Sequence, residues 1–412
     1  MIKAALSIYT ISFFILLSSC TKLTKPNNND TENKQKEIAI ALPVANATSD
    51  FAFDFFKTLQ TDKVVDAKEN IFVSPLSLHI ALGMLVNGAT QETKTEILNA
   101  LKAKNISLDE LNEAYKKLLT ELPSADSKVK LAIANAVFYK NNFNVFPAYL
   151  SNIKNKFNAQ ITGLPFLPSD LAIINQWASD HTNDKIKKVI DEISPDLVMF
   201  LMNALYFKGD WSQPFNSSST SDDIFNLVNG NKTVKMMRQK NDFNYATNAD
   251  FAALEMPYGN GQFRATFILP HEGKSVKNII QNLNTTDWNQ LQQNFISKEV
   301  QVFIPKFKLE QEFSLNNTMK SLGMLRAFKV EEAQFKNISN NDLFVSFIKQ
   351  NTFLAVDEVG TEAAAVTTIG VGTTSAPAMP IIFNCNRPFI FIISEKTSNT
   401  ILFIGRIMNP AN

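Results

Sequence analysis

The sequence predicts an α+β protein with one large folded domain. Helix signals dominate the first part of the domain and long apolar strand signals dominate the second, without the regular helix–strand alternation of an α/β protein. No second linker and no internal repeat follows residue 45, so the rest of the 412-residue chain is expected to share one core. The 33 Phe residues predict that this core contains many large, flat side chains.

Three helices are predicted near the start of the domain, over residues 51–59, 75–88 and 94–101. Ser49 or Asp50 can cap the first of them. Ser74 followed by Pro75 is typical of a capped helix start with proline at its first position. His79 lies within this second, apolar helix and is therefore expected to be packed in the core.

Later segments are predicted to be strands because they are nearly continuous apolar runs, as expected for strands covered on both faces. They comprise residues 131–139, 198–207, 252–256, 263–269, 300–307, 353–357, 389–393 and 401–404. Between two of these runs, Tyr258-Gly259-Asn260-Gly261 predicts a hairpin turn.

The charge balance and the motif content argue against several function classes. Forty basic and 39 acidic residues leave a net charge of +1, without the basic face that nucleic-acid binding requires. The chain has three His residues and lacks the Gly-x-Ser-x-Gly, His-Glu-x-x-His and Cys-x-x-Cys motifs. The acidic cluster of Asp357, Glu358 and Glu362 is more typical of solvated charges than of paired catalytic carboxylates. We therefore expect that the protein is not an enzyme and that it has neither a cofactor nor a metal site.

The N-terminal residues predict secretion and a membrane anchor. Lys3 precedes a short apolar run, and Leu17-Ser18-Ser19-Cys20 resembles the bacterial lipoprotein signal, in which the cysteine is lipidated. Polar residues then dominate up to Glu37, which is typical of a flexible tether. We assign 1–19 to a signal peptide, 20–45 to the tether and 46–412 to the folded domain. A disulfide between Cys20 and Cys385 is conceivable, but lipidation explains Cys20 better. The expected location is the cell envelope or surface, lipid-anchored, or the secreted fraction.

The segment between the strands at 353–357 and 389–393 is unusual for a loop. It is long, nearly every side chain in it is small, and the usual polar turn residues are scarce. Thr361, Ala363, Ala365 and Thr367 alternate with Glu362, Ala364 and the residues that follow, which is the period of a strand. The segment could therefore be a strand that is held temporarily as a loop.

At this point the chain resembles the serpin family. Glu358-Val359-Gly360-Thr361-Glu362-Ala363-Ala364-Ala365 is similar to the hinge of the reactive loop in inhibitory members. The resemblance covers about residues 50–410, and its other motifs follow in the family's order: Asn70-Ile71-Phe72-Val73-Ser74-Pro75-Leu76-Ser77, Asn175-x-Trp177, Asn203-Ala204-Leu205-Tyr206-Phe207-Lys208-Gly209-x-Trp211, Glu255-Met256-Pro257-Tyr258, Ile304-Pro305-Lys306-Phe307, Leu322-Gly323-Met324, Asn386-Arg387-Pro388-Phe389 and Phe403-Ile404-Gly405-Arg406.

The resemblance implies a fold and a mechanism. Helices would surround a large, mainly antiparallel central sheet, with smaller sheets and an exposed reactive-centre loop. The protein would be a monomeric suicide inhibitor whose cleaved loop inserts into the central sheet and traps the protease as an acyl-enzyme. The alternative is a non-inhibitory serpin that acts as a binding or chaperone-like surface protein. An unrelated solute-binding lipoprotein or an anchored hydrolase would leave the hinge unexplained.

The resemblance also implies roles for individual residues. The hinge and inserting strand would comprise Glu358, Gly360, Thr361, Glu362, Ala363, Ala364, Ala365 and Thr367. Trp211 would lie beneath the point where the loop enters. Ser74, Ser77 and Asn203 would latch the sheet closed, together with Gln350, which stands where the family often has a histidine.

The family's usual spacing from Gly360 places the reactive bond between Thr374 and Ser375, with Val371, Thr373, Ala376 and Met379 as other candidates. No Lys or Arg lies between Gly360 and Cys385, which argues against trypsin-like targets. The expected partners are elastase-like, subtilisin-like or papain-like proteases, and a membrane through the anchor on Cys20.

Overall fold

The computed structural model describes residues 35–361 and 381–411. In these residues, helices pack on two β-sheets, which confirms the predicted α+β class. The α-helices are α1 Leu42–Leu59, α2 Lys63–Asp66, α3 Pro75–Gly88, α4 Gln91–Ala100, α5 Leu108–Glu121, α6 Pro147–Phe157, α7 Leu171–His181, α8 Val276–Asn282, α9 Thr285–Asn294 and α10 Asn316–Ser321.

The strands include every apolar run that predicted one, with bounds that differ by a few residues. They are β1 Ile71–Val73, β2 Val129–Lys140, β3 Gln160–Leu164, β4 Met199–Asp210, β5 Ser221–Asn226, β6 Asn231–Thr247, β7 Phe251–Pro257, β8 Phe263–Pro270, β9 Ile296–Pro305, β10 Phe307–Ser314, β11 Lys349–Val356, β12 Gly360–Thr361, β13 Ile381–Asn384, β14 Phe389–Glu395 and β15 Ile401–Ile407.

The strands form two mainly antiparallel sheets within the described residues. One has six strands in the order β10-β11-β12-β4-β2-β3, and the other follows the order β1-β15-β14-β8-β7-β6-β9-β13, with β5 paired to β6. The parallel pairs are β2 with β3 and β9 with β13. The predicted hairpin joins β7 to β8, and Gly259 and Gly261 both adopt the positive φ angles that its turn requires.

Helix α1 begins two turns earlier than its predicted cap. Pro43 occupies its first turn, where the missing backbone N–H costs nothing, and Val44 is already fully buried. Ser49 therefore lies inside the helix, and the predicted cap is wrong. The sequence did not predict this earlier start, because the residues of the helix that precede Phe51 are mostly small and give no strong apolar period.

The folded part also reaches back into the predicted tether. Ile38 is buried, and its backbone N–H donates to the Thr397 hydroxyl over 2.9 Å. Lys36 exchanges two hydrogen bonds of 2.7 Å with the side-chain amide of Gln262. These contacts correct the tether boundary, since residues 35–45 belong to the folded domain. The signal peptide and the remainder of the tether lie outside the described residues, as does Cys20.

Helix α3 starts as the sequence predicts. The Ser74 side chain accepts a hydrogen bond from the Ser77 backbone N–H, and Pro75 follows at the first helical position. His79 is fully buried within this helix, where its ring bonds the Leu101 carbonyl and the Tyr115 hydroxyl. The expected core role of His79 is therefore confirmed.

Burial of His79 predicts a loss of stability in mild acid. Burial lowers the pKa of His79 from its ordinary value to about 4, although the hydrogen bond to Leu101 acts in the opposite direction. The unfolded chain takes up this proton near pH 6.5 and the folded protein only near pH 4, so stability is full above pH 6.5 and falls below it. We expect a loss of about 2 kcal/mol between pH 7.5 and pH 5.

Guanidinium denaturation of the wild type and of His79→Gln at both pH values checks this prediction. The variant starts from lower stability but loses less on acidification, because glutamine takes up no proton. An equal loss in the two proteins would assign the pH dependence to another group.

Candidate functional site: a hinge strand seated at one end of an open sheet

In the six-stranded sheet, β11 and β4 are joined at one end by β12, a strand of only two residues that lies between them. In β12, Thr361 pairs with Val356 of β11 on one side and with Gly209 of β4 on the other. Beyond β12, towards the other end of the sheet, a cavity of about 270 Å³ is lined by β4 residues 199–204 and by β11 residues 349–351. Helices α3 and α7 contribute to its walls. The described sheet is therefore continuous at the β12 end and open between β4 and β11 at the other.

Gly360 is required by the close approach of two backbones. A Cβ atom on Gly360 would lie 2.1 Å from the Gly209 carbonyl oxygen and 2.7 Å from the Asp210 Cα. The turn before it is closed by Asp357, whose carboxylate accepts hydrogen bonds from the backbone N–H groups of Val359 and Gly360 over 3.0 and 3.3 Å. This tight turn brings the chain from β11 directly back into the middle of the sheet.

An aromatic floor that includes Trp211 lies beneath the hinge. The Trp211 ring stacks on Tyr258 with centroids 4.4 Å apart, and its indole N–H donates to the Asp357 carbonyl over 3.0 Å. The Trp211 backbone N–H donates to the Val359 carbonyl over 2.7 Å. The Tyr258 hydroxyl lies 2.6 Å from the Thr361 hydroxyl, and both side chains are buried. Burial raises the pKa of Tyr258, so this hydroxyl stays protonated.

The Glu358 side chain ties the hinge to Lys306 and Thr220. One of its carboxylate oxygens accepts a bond from Lys306 Nζ over 2.6 Å, and the other accepts from the Thr220 hydroxyl over 2.8 Å. Burial by itself would raise the pKa of Glu358, but the hydrogen bonds from Lys306, the backbone and Thr220 outweigh it and lower the pKa. The carboxylate is therefore ionised and paired at neutral pH.

Three of the four predicted latch residues come together. The Gln350 amide clamps the backbone of Ser74, accepting from its N–H over 2.9 Å and donating to its carbonyl over 2.8 Å. The Ser74 hydroxyl donates to the Leu402 carbonyl and accepts from the Ser77 N–H. Gln350 thus ties β11 to the start of α3, as a glutamine can with one donor and one acceptor.

Asn203 is the exception among the predicted latch residues. It donates to the Asn135 side chain over 2.7 Å, and no hydrogen bond joins it to Ser74, Ser77 or Gln350. Asn135 is itself buried and donates to the Phe157 carbonyl. The cavity between β4 and β11 separates Asn203 from Gln350, although both line it. The open sheet is the physical reason, because the two strands that carry them are not paired there.

Sequence reasoning missed several contributors to this site. They are Thr220, Tyr258, Lys306 and Asn135. Tyr258 and Lys306 both lie within motifs that carry the serpin resemblance, so those motifs were the available signal. The predicted residues Glu362, Ala363, Ala364, Ala365, Thr367, Thr374 and Ser375 lie outside the described residues. Across residues 35–361 and 381–411, no helix is long and apolar enough to cross a membrane.

Comparison with known proteins agrees with this geometry. The family model "Serpin (serine protease inhibitor)" matches residues 46–410. A serpin-like protein of Thermococcus kodakarensis is 35% identical over 376 residues, covering 89% of this chain and 86% of its own length. The leukocyte elastase inhibitor of Xenopus laevis is 31% identical, covering 89% of this chain and 99% of its own length.

Two solved structures show the same fold. The native state of the thermophilic serpin tengpin superposes with a TM-score of 0.83 at 33% identity, covering 91% of this chain and 96% of its own. Human thyroxine-binding globulin in complex with thyroxine superposes with a TM-score of 0.81 at 26% identity, covering 90% and 99%. The chain belongs to the serpin family.

Proposed function

We propose that this protein inhibits proteases as a suicide substrate, by inserting its cleaved loop between β4 and β11. The observation that carries this proposal is the position of β12. Its two residues already pair with both neighbours, and the space beyond them in the same sheet is open. A strand that continues from Thr361 would enter that space.

The energetic argument favours insertion after cleavage. A strand added between β4 and β11 makes backbone hydrogen bonds on both sides, each contributing about 0.5–1.5 kcal/mol net, so roughly a dozen become substantial. The side chains at 363, 365 and 367 would face inward with Thr361, and they are Ala, Ala and Thr. Small side chains enter a closed core without the overpacking that larger ones cause.

The resemblance supplies the remaining steps. A target protease would attack the loop and form an acyl-enzyme, and insertion would then drag the protease across the serpin. Distortion of the protease would disturb its oxyanion hole, so that deacylation stalls. The serpin itself contributes no catalytic group, because the acyl-enzyme chemistry belongs to the target.

The target class follows from the loop sequence. Thr374 and Ser375 are the proposed reactive pair, and the residues around them are uncharged. An elastase-like, subtilisin-like or papain-like protease accepts such residues, whereas a trypsin-like pocket prefers Lys or Arg. The similarity to the leukocyte elastase inhibitor of Xenopus laevis supports the elastase-like choice.

A non-inhibitory binding role is the second candidate. The similarity to thyroxine-binding globulin favours it, since that serpin binds a small molecule. The two candidates differ in what cleavage of the loop does. An inhibitor gains stability and holds its protease, and a pure binding protein does neither.

We further propose that Cys20 is lipidated and holds the domain at the cell envelope. The apolar run before Cys20 and the polar stretch after it support this location. Mass spectrometry of the mature protein is expected to show an N-terminal cysteine with attached acyl chains. A mature N-terminus that is neither cysteine nor lipid-modified contradicts the anchor.

The deciding experiment for inhibition mixes the domain, without its first 20 residues, with neutrophil elastase. We expect a band near the summed mass that survives boiling in denaturant, and a released C-terminal peptide that begins at Ser375. If elastase cuts the loop without a covalent band, the unfolding of the cut protein decides. A large gain in stability shows that the loop inserts and that elastase is the wrong target, whereas no gain favours the binding role.

A further inference from the structure

Two lysines face each other on the outer surface of the six-stranded sheet. Lys130 of β2 and Lys208 of β4 are direct cross-strand partners. Like charges in this arrangement destabilise a sheet unless something compensates them. Lys130 Nζ donates to the Asn183 side chain over 3.2 Å and lies 5.7 Å from the Tyr206 ring centroid. Within the described residues, neither lysine forms an ion pair. We refer to Lys130 and Lys208 as the lysine pair.

The carboxylates near the lysine pair do not neutralise it. A cleft of about 650 Å³ beside the pair is also lined by Asp126 and Asp210. Asp126 is 4% exposed and already accepts backbone hydrogen bonds from Lys128 and Asn260, each 2.8 Å long. Asp210 lies on the same face two residues beyond Lys208, at the end of β4 and at the level of Gly360, and within the described residues it forms no ion pair with Lys208. The position directly beside Lys208, on the side away from Lys130, therefore remains without a negative charge in the described sheet.

The strand register identifies the residue that reaches this position. Gly360 pairs with Asp210 and Thr361 with Gly209 in an antiparallel ladder. A strand that continued this ladder by one residue would pair residue 362 with Lys208. On the β11 side, Val356 pairs with Thr361, so the same continuation would bring residue 362 opposite the uncharged Ala355. Residue 362 is glutamate.

In such a continued strand, the alternation of side chains would put Glu362 on the same surface as the lysine pair. The Thr361 side chain points inward, where it bonds the buried Tyr258 hydroxyl. The next side chain along a strand points to the opposite face. Lys208 shares that outer face, because its neighbour Phe207 is buried and packs against Tyr258. A strand that extends past Thr361 therefore brings a carboxylate beside two ammonium groups.

We propose that the lysine pair is the docking position for Glu362 and fixes the register of the inserting strand. This proposal rests on the proposed function, since it names the contact that positions the inserted loop. Docking relieves the repulsion between Lys130 and Lys208. A slip of one residue would turn Glu362 towards the core, where an unpaired carboxylate is costly, and would leave the lysine pair uncompensated. Lys130 and Lys208 are thus positioning residues for loop insertion.

A double-mutant cycle in the loop-cleaved, full-length protein tests the proposal. The cycle comprises the wild type, Lys208→Glu, Glu362→Lys and the variant with both changes. The measurement is the unfolding rate in a fixed guanidinium concentration. Each single charge reversal is expected to raise the rate about fivefold, and the double reversal to restore it to near the wild-type value. Lys232→Glu, on the exposed part of β6, is the matched control and is expected to show no coupling to Glu362→Lys.

The outcomes separate this proposal from the one on which it rests. If cleavage stabilises the wild type but the cycle shows no coupling, the docking of Glu362 is wrong and insertion stands. If cleavage does not stabilise even the wild type, insertion and docking are both wrong. If inorganic tripolyphosphate slows unfolding of the intact wild type and the cycle shows no coupling, the lysine pair serves an external polyanion instead.

Discussion

Replacing Thr361 by arginine is expected to turn the proposed inhibitor into an ordinary substrate. Thr361 is 2% exposed, and its hydroxyl lies 2.6 Å from Tyr258 over the stacked ring of Trp211. An arginine there must either bury an unpaired charge, at a cost of several kcal/mol, or pull β12 out of the sheet. In the proposed mechanism insertion starts from this residue, so the loop would be cut and the acyl-enzyme would hydrolyse before the sheet accepts a strand.

Two measurements check this expectation. In the elastase mixture, the covalent band is expected to fall below about a tenth of its wild-type yield, which corresponds to a barrier increase of about 1.4 kcal/mol or more. The cleaved variant should also lose most of the stability that cleavage confers on the wild type.

The matched control is Ala364→Arg, since the strand period predicts that this side chain faces outward. It adds the same charge to the same segment and should leave trapping nearly unchanged. Equal trapping by Thr361→Arg and the wild type would refute the role of β12 as the start of insertion.

The hinge shows how far sequence reasoning reaches. The resemblance located Glu358, Gly360 and Thr361, and the structure places all three at the meeting point of β4 and β11. Their partners come from segments far away in the chain, such as Lys306 and Tyr258. A local pattern carries no information on which distant strand comes to lie beside it, so these contacts needed the fold.

The strand runs and the start of helix α1 differ in predictability for a physical reason. Buried strands such as β14 and β15 are apolar on both faces, so a continuous run reveals them. The first turns of α1 contain small residues such as Ala45 and Ala47, whose burial depends on neighbours rather than on their own hydrophobicity. Tertiary packing therefore determines where α1 begins, and it also explains why Ile38, which lies in the predicted tether, is buried.

Asn203 shows a different limit of prediction from sequence, because its contacts depend on the conformational state of the sheet. Its motif predicted a latch, and it does lie in the same cavity wall as Gln350. Whether the two amides meet depends on whether β4 and β11 are paired at that level, which is a property of the conformational state. Insertion of a strand between β4 and β11 would change the surroundings of Asn203, so its partner can differ between two states of one sequence.

Loss of the Gln350 amide is expected to cause the second large effect. Gln350→Ala removes both hydrogen bonds to the Ser74 backbone, and Ser74 is 2% exposed, so its N–H is left without a partner away from water. The Ser74 carbonyl keeps the bond from the Leu78 N–H. Leaving one buried backbone group unsatisfied predicts a loss of about 1–3 kcal/mol in the intact protein. The same change frees β11 from the start of α3, which should widen the gap beside β4.

Denaturation of the intact variant measures the loss of stability. Incubation at moderate temperature, followed by an assay of protease trapping, measures how readily the uncut loop enters the gap between β4 and β11. We expect the variant to lose its protease-trapping activity faster than the wild type, because its uncut loop inserts by itself. Asn351→Ala is the control, since that neighbour is on the outer face and its hydrogen bonds are exposed, so it should cost less than about 1 kcal/mol. A Gln350→Ala protein as stable and as long-lived as Asn351→Ala would show that the clamp on Ser74 does not keep the uncut loop out of the sheet.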